Sequence, residues 1–239
     1  MLSVCVIFSE NDEHWLNDCI ASVPPGSEIC LLKTKPIQNI EQNPGILGGI
    51  KEVQKAGSTL KFAEWNYAAD NFSFADARNA CKTMATGEWI LQLDADERLM
   101  YEADEFEHLK ELPEQIGGVL CTIVSNYYPH DRKHIKREAI AVLRLFRNKP
   151  EFTYQYRAHE DLHDSISKAG CFIGDSPITI HHLGYFLEDK DIAVKKLKRN
   201  MHLMFKDLAV KPNDSHLIER LASHCITLVE LGEIRLITS

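Results

Sequence analysis

Leu91-Gln92-Leu93-Asp94-Ala95-Asp96-Glu97 is the stretch that decides how this chain is read. The apolar run Trp89 to Leu93 has the length and composition of a buried strand, and it ends abruptly in the carboxylates of Asp94, Asp96 and Glu97. Carboxylates so close together repel one another and resist ionisation unless a cation neutralises them. A hard divalent ion held by oxygen ligands meets that need. The carboxyl end of a strand in an open α/β sheet is also where ligands bind. A solvated acidic turn is the alternative that this stretch alone leaves open.

Working back from it, Ala75 to Ala85 reads as a helix stopped by Thr86-Gly87, and Leu60 to Trp65 as a strand. Glu28 to Lys33 and Leu2 to Phe8 are further strands, and Glu13 to Val23 is a helix ended by Pro24-Pro25-Gly26. Lys35 to Gly57 is rich in Pro, Gly, Asn and Gln, so it is expected to be a loop, with room for a short helix at Gly49 to Ala56. Strands alternating with helices predict an α/β fold with a mostly parallel sheet covered on both faces.

Working forward, the rhythm changes after residue 100. Gly118 to Asn126 and Ala139 to Phe146 are strands, with a hairpin tip at the basic stretch Asp131 to Arg137, and Ile178 to His182 is one more short strand. Ile192, Leu197, Met201, Met204, Phe205 and Leu208 recur at helical spacing within Glu188 to Leu208, and Ser215 to Leu231 forms another helix. Lys211-Pro212-Asn213-Asp214 separates the two, which predicts an antiparallel helical hairpin; one pair is not a repeat array.

At 239 residues the chain can bury a sizeable core, and 44% hydrophobic with 26% charged residues is ordinary for a soluble protein. The net charge of -8 argues against a general nucleic-acid binder. No apolar segment approaches the roughly 20 residues that cross a bilayer, and Met1 to Phe8 reads as a first strand rather than a signal peptide. The 7 cysteines are odd in number, scattered and without a Cys-x-x-Cys pair, which suits free thiols in a reducing cytoplasm. The helical face bearing Lys195, Lys196, Lys198 and Arg199 is interspersed with Glu188, Asp189, Asp191 and Asp207. It reads as a solvated face, with a weak contact to the inner face of a membrane as the alternative.

Several motifs in order resemble the family 2 glycosyltransferases: Phe74-Ala75-Asp76-Ala77-Arg78-Asn79, Ala85-Thr86-Gly87-Glu88-Trp89-Ile90, Asp94-Ala95-Asp96-Glu97-Arg98-Leu99, Arg144-Leu145-Phe146-Arg147-Asn148, Ala158-His159-Glu160 and Ile180-His181-His182-Leu183-Gly184-Tyr185. The resemblance implies a glycosyltransferase-A fold over residues 1–187, with a nucleotide-sugar-binding half (1–100) and an acceptor half (101–187), followed by the helical hairpin 188–239. It implies inverting transfer from a nucleoside diphosphate sugar to a glycan, lipid-linked or peptide acceptor. It places Mn²⁺ or Mg²⁺ on the Asp-x-Asp pair, with Asp96 as the direct ligand, Asp94 nearer the ribose or reaching the metal through water, and His182 completing the coordination. Adjacent strand histidines point to opposite faces, so at most one of His181 and His182 meets the site.

The same resemblance sets the donor against Phe8, Glu10, Arg78, Asn79, Asp94, Ala95 and Arg147. A helix N-terminus would assist Arg78 and Asn79; the other reading of Arg78 is a cation packed on the acidic cluster to keep Asp94 ionised. Inversion requires a base for the acceptor hydroxyl, and the resemblance assigns it to Glu160, with Asp161 as the fallback. The N-terminal part departs from the family. Ser9-Glu10-Asn11-Asp12-Glu13 replaces a Lys-Asn-Glu-like turn, and Lys33-Thr34-Lys35-Pro36 replaces an Asp-containing, Gly-rich one, so UDP is only the default nucleotide. A sugar-1-phosphate nucleotidyltransferase would need a glycine-rich phosphate loop that Ser9 to Glu13 does not supply. A non-catalytic nucleotide-sugar-binding protein is the second alternative.

Overall fold

The computed structural model describes residues 1–37, 51–55, 57–68, 71–102, 105–127, 136–184 and 190–234. Its strands are β1 (Leu2–Phe8), β2 (Glu28–Ile37), β3 (Lys51–Lys55), β4 (Ser58–Ala68), β5 (Trp89–Asp94), β6 (Glu97–Met100), β7 (Ile116–Tyr127), β8 (Lys136–Arg147) and β9 (Phe172–His182). Its α-helices are α1 (Glu13–Ala21), α2 (Phe74–Lys82), α3 (His163–Lys168), α4 (Lys190–Val210) and α5 (Ser215–Glu230). The strands form a 9-stranded sheet in the order β3-β4-β2-β1-β5-β8-β7-β9-β6. β1, β2, β4, β5, β7 and β9 run one way, and β3, β6 and β8 the other. This is the α/β class expected.

β1 is apolar on both faces because both are covered. Val4, Val6 and Phe8 pack with Leu91 and Leu93 of β5 and with Cys19 of α1. The alternate residues Cys5 and Ile7 pack with Ile90 and with Ala77 and Cys81 of α2 on the other side. Small residues on that helix face allow a close approach to the sheet. The parallel register sets Ile7 opposite Asp94 and Phe8 opposite Lys33, so β1 and β5 present their carboxyl ends at one level while β2 runs on beyond them. The turn into β5 is tight: a Cβ on Gly87 would stand 2.6 Å from the Met1 carbonyl and from Ser3 Oγ. Only glycine lets the chain cross β1 there.

The structure corrects several local expectations. Residues 51–55 form an edge strand, not a short helix, with Val53 opposite Leu60 of β4 and Gly57 turning the chain at φ 81°. Lys51, Glu52 and Lys55 suit a sheet edge, and the pairing partner overrides local preference. β2 runs on through Lys35 and Pro36 to Ile37. β6 and α3 went unread because each is too short to carry a period. The expected hairpin tip falls largely at residues 128–135, outside the described residues; Lys136 and Arg137 begin β8.

α4 and α5 pair as the expected hairpin. Asp214 caps α5 by accepting a hydrogen bond from the Leu217 amide (3.1 Å). Leu203 and Met204 of α4 meet Leu217 and Leu221 of α5, and Val194 meets Leu228 and Leu231. Ala158 shares the first of these clusters, with Phe72, Phe74 and Tyr156 against it. No helix among the described residues is long and apolar enough to cross a membrane.

All 7 cysteines are free, five of them buried, with Cys171 intermediate and Cys225 exposed. Alkylation of unreduced native protein should label Cys225 first, Cys171 more slowly, and the others only after unfolding. A disulfide at high occupancy by mass spectrometry would contradict this arrangement.

Candidate functional site

β5 delivers Asp94 to the carboxyl end of the sheet, where α2 and β8 each bring an arginine to it. Arg78 Nη2 donates to Asp94 Oδ1 (2.8 Å), and Arg144 Nη2 donates to Asp94 Oδ2 (2.9 Å). Arg144 also donates to Glu97 Oε1 (2.7 Å), while Glu97 Oε2 accepts from the Asp94 amide (2.8 Å). On its other side Arg78 Nε donates to Glu160 Oε1. The result is a chain of alternating charge, Glu160–Arg78–Asp94–Arg144–Glu97.

Removal from water would raise the Asp94 carboxyl, but the two guanidinium charges outweigh it and hold Asp94 well below the usual carboxylate range. Burial pushes the Glu97 carboxyl up. Arg78 Nη1, Arg144 Nε and the Tyr154 hydroxyl are buried and make no hydrogen bond among the described residues. The acidic turn is therefore neither a bare cluster nor a solvated one, because arginines do much of the neutralising.

Asp96 and His182 stand apart from that chain. His182 Nε2 lies 3.2 Å from Asp96 Oδ2, and its Nδ1 lies 3.3 Å from Ser125 Oγ, which orients the ring. The strand register explains the meeting: His182 is opposite Glu97 across β6 and opposite Ser125 across β7. Burial opposes a charged imidazole, yet the bond to Asp96 outweighs it and raises His182 above its ordinary value. Gly184 lies directly against this pair, and a Cβ there would overlap the Asp96 carboxylate.

No group of three His, Cys, Asp or Glu side chains among the described residues makes a ready metal cage. The available set is one carboxylate oxygen and one imidazole nitrogen, the latter already oriented by a hydroxyl. That set fits an ion sharing its coordination with substrate phosphates and water, as Mg²⁺ commonly does. An imidazole ligand favours Mn²⁺.

Glu160 reaches the site on the segment 154–161. Tyr156 (φ 72°) and His159 (φ 57°) lie in the left-handed region there, a strain of about 1–2 kcal/mol per non-glycine residue. Asp161 instead pairs with His163. Burial would raise Asp161, but that bond lowers it, and the same bond raises His163.

Of the other expected donor-binding residues, Phe8 and Ala95 are buried at this end of the sheet, while Glu10 is exposed in the turn after β1. Asn79 bridges the backbone of Tyr154, donating to its carbonyl (2.9 Å) and accepting from its amide (2.8 Å), so it fastens the Glu160 segment to α2. Arg147 is not brought to the site. It lies opposite Trp89 at the other end of β5 and donates to Glu88 (2.6 Å) and to the carbonyls of Ile116 (3.0 Å) and Leu112 (2.9 Å). Arg144, three residues earlier, is the arginine at the carboxylates. A lone cation within the apolar run Ala139 to Phe146 was its sequence signal. Ser125 and His224 carried no such signal.

No family model matches the chain. It is 29% identical over 244 residues to a TPR repeat-containing protein of Synechococcus elongatus, a match spanning 98% of this chain and 54% of that protein. The chain thus spans about half the length of that curated relative. Solved structures similar to it include S. aureus TarS in complex with UDP (12% identity, TM-score 0.44, 94% of this chain and 70% of that one). The glycosyltransferase GlyE of Streptococcus pneumoniae TIGR4 is another (16% identity, TM-score 0.32, 62% and 34%).

Burial, with the nearby His224 and Arg220, lowers His159 from 6.5 to about 4. The folded state therefore refuses a proton that the unfolded chain accepts, and stability should be lost as pH falls through that interval. Urea unfolding between about pH 7 and about pH 4.5 should show a larger loss for wild type than for His159→Asn, which tolerates the same backbone. Parallel losses would contradict the assignment.

Proposed function

We propose that this chain is a metal-dependent, inverting glycosyltransferase of glycosyltransferase-A architecture. It takes a nucleoside diphosphate sugar, UDP-linked by default, and passes the sugar to a glycan, lipid-linked or peptide acceptor. The observation that carries this reading is the juxtaposition, around Asp94, of a metal-competent pair (Asp96 and His182) and a carboxylate on a separate segment (Glu160). Both lie at the end of the sheet where ligands of open α/β folds bind.

On this reading Asp96 and His182 hold Mn²⁺ or Mg²⁺. The ion supplies Lewis-acid stabilisation of the departing diphosphate when bound. Asp94, with both oxygens on arginines, keeps Arg78 and Arg144 in place beside it. Glu160 removes the acceptor's proton as the hydroxyl attacks the anomeric carbon opposite the leaving group. Phe8, Ala95 and Glu10 border the position of the nucleotide. A TPR repeat is a helix–turn–helix unit, and the α4–α5 hairpin is the part of this chain built that way, so it is where the named character of the relative would meet the α/β part.

Calorimetry with UDP should show binding that depends on Mn²⁺ or Mg²⁺ and weakens sharply in Asp96→Ala. Gly184→Ala should weaken it too, by displacing the Asp96 carboxylate without removing it. Equal diphosphate affinity in chelator and in Mn²⁺ would overturn the metal assignment. Glu160→Gln should leave donor affinity nearly unchanged and lower turnover by roughly 10²- to 10⁴-fold, the usual contribution of a positioned base. Retention of more than about a tenth of the turnover would remove Glu160 from that role.

A further inference from the structure

We infer that His224, on α5, is a positioning residue for Glu160, so that the helical hairpin is a working part of the site. The inference rests on the reading of Glu160 given above. Glu160 sits on a segment whose only regular pairing among the described residues is the bridge between Gln155 and Asp161. Left-handed backbone at Tyr156 and His159 persists only where surroundings over-determine it.

One set of restraints comes from the sheet side. The Phe74 amide donates to the Arg157 carbonyl (2.9 Å), Asn79 clasps Tyr154, and Arg78 takes the Glu160 carboxylate. The other set comes from the hairpin. Asp207 of α4 accepts from the Arg157 amide (2.7 Å), and Asp214 accepts from the Tyr156 hydroxyl (3.0 Å). The His216 ring, stacked on Tyr156, places its Nε2 3.2 Å from the His159 carbonyl. The side chain of His159, the residue before Glu160, meets His224 with the two Nε2 atoms 3.1 Å apart.

His224 is an unexpected residue at its position. Leu217, Leu221 and Leu228 form the buried stripe of α5, and His224 continues that stripe as a buried polar group. A buried polar group demands a partner, and His159 supplies it. An apolar side chain would serve hairpin packing alone equally well. The polar contact instead fixes the residue adjoining Glu160, whose own carboxylate is taken by Arg78. The segment bearing Glu160 is thus tied to both α2 and α5.

His224→Leu separates packing from positioning, because leucine fits the stripe and cannot bond His159. Its thermal stability, UDP affinity in Mn²⁺, turnover of a UDP-sugar to free UDP, and amide exchange of residues 156–161 are to be compared with wild type and His224→Gln. Turnover should fall toward the roughly 100-fold penalty of an ångström-scale misplacement, with UDP affinity unchanged and exchange of 156–161 accelerated. His224→Gln, which keeps a hydrogen-bonding group, should recover most of both. If His224→Leu does not fold, His159→Asn breaks the same contact from the other side and takes the same measurements. Wild-type turnover and exchange in the contact-breaking variant would overturn the inference. A wild type inert with every donor would instead count against the transferase reading. The exchange measurements would then decide the positioning claim: acceleration restored by glutamine supports it, and no change refutes it.

Discussion

Five charged side chains in alternating sign, Glu160–Arg78–Asp94–Arg144–Glu97, tie together α2, β5, β6, β8 and the segment after β8. Each arginine serves two carboxylates, so removing Arg78 leaves Glu160 without its arginine, removing Arg144 leaves Glu97 without its own, and either loss leaves Asp94 with one arginine of two. Breaking a buried pair in this way typically costs about 3–5 kcal/mol, much more than such a pair contributes net. The chain is therefore weak as a source of stability and strong as a constraint on geometry. It also separates the acids of the turn by task. Asp94 and Glu97 are paired with arginines, while Asp96 is paired with His182.

That separation explains which parts were legible in the sequence. The apolar run of β5 and its acidic end were readable because burial forces composition, and β1, β2, β4 and α2 followed from the same logic. Asp94, Asp96, His182, Arg78 and Glu160 could be named from motif order, and the structure places them at one end of the sheet. Which arginine of β8 faces them could not be read. Antiparallel pairing sets Trp89 opposite Arg147 and Leu91 opposite Leu145, which carries Arg144 toward the carboxylates and Arg147 away from them. Register between distant strands is set by the fold, and no local pattern in Arg144 to Arg147 encodes it. β3 illustrates the same limit: Lys51 to Lys55 is a strand because β4 lies beside it.

The helical hairpin was readable as a hairpin but not as a neighbour of the site. Periodicity shows that a helix has an apolar face without showing what covers it. Here Leu203, Met204, Leu217 and Leu221 close over Ala158, and the polar groups at the rim fasten the backbone on either side of it. A division of the chain near residue 187 is sensible for the sequence pattern. In the packed molecule, the short segment Tyr154 to Asp161 belongs to both parts.

The strained segment gives this sharing its physical logic. If Glu160 is the base proposed above, its carboxylate has to be held in place without being walled in by the sheet. A loop anchored only by the Arg78–Glu160 ion pair would lose its geometry whenever that pair was disturbed, as a charged ligand beside Asp94 would disturb it. Restraints from α4 and α5 act on the backbone and on His159, outside the charge chain. They support the left-handed turns at Tyr156 and His159 from a different part of the fold. On the proposed reading, these two sets of anchors, the Arg78 ion pair and the contacts from α4 and α5, would let Glu160 stay positioned while Arg78 responds to what binds.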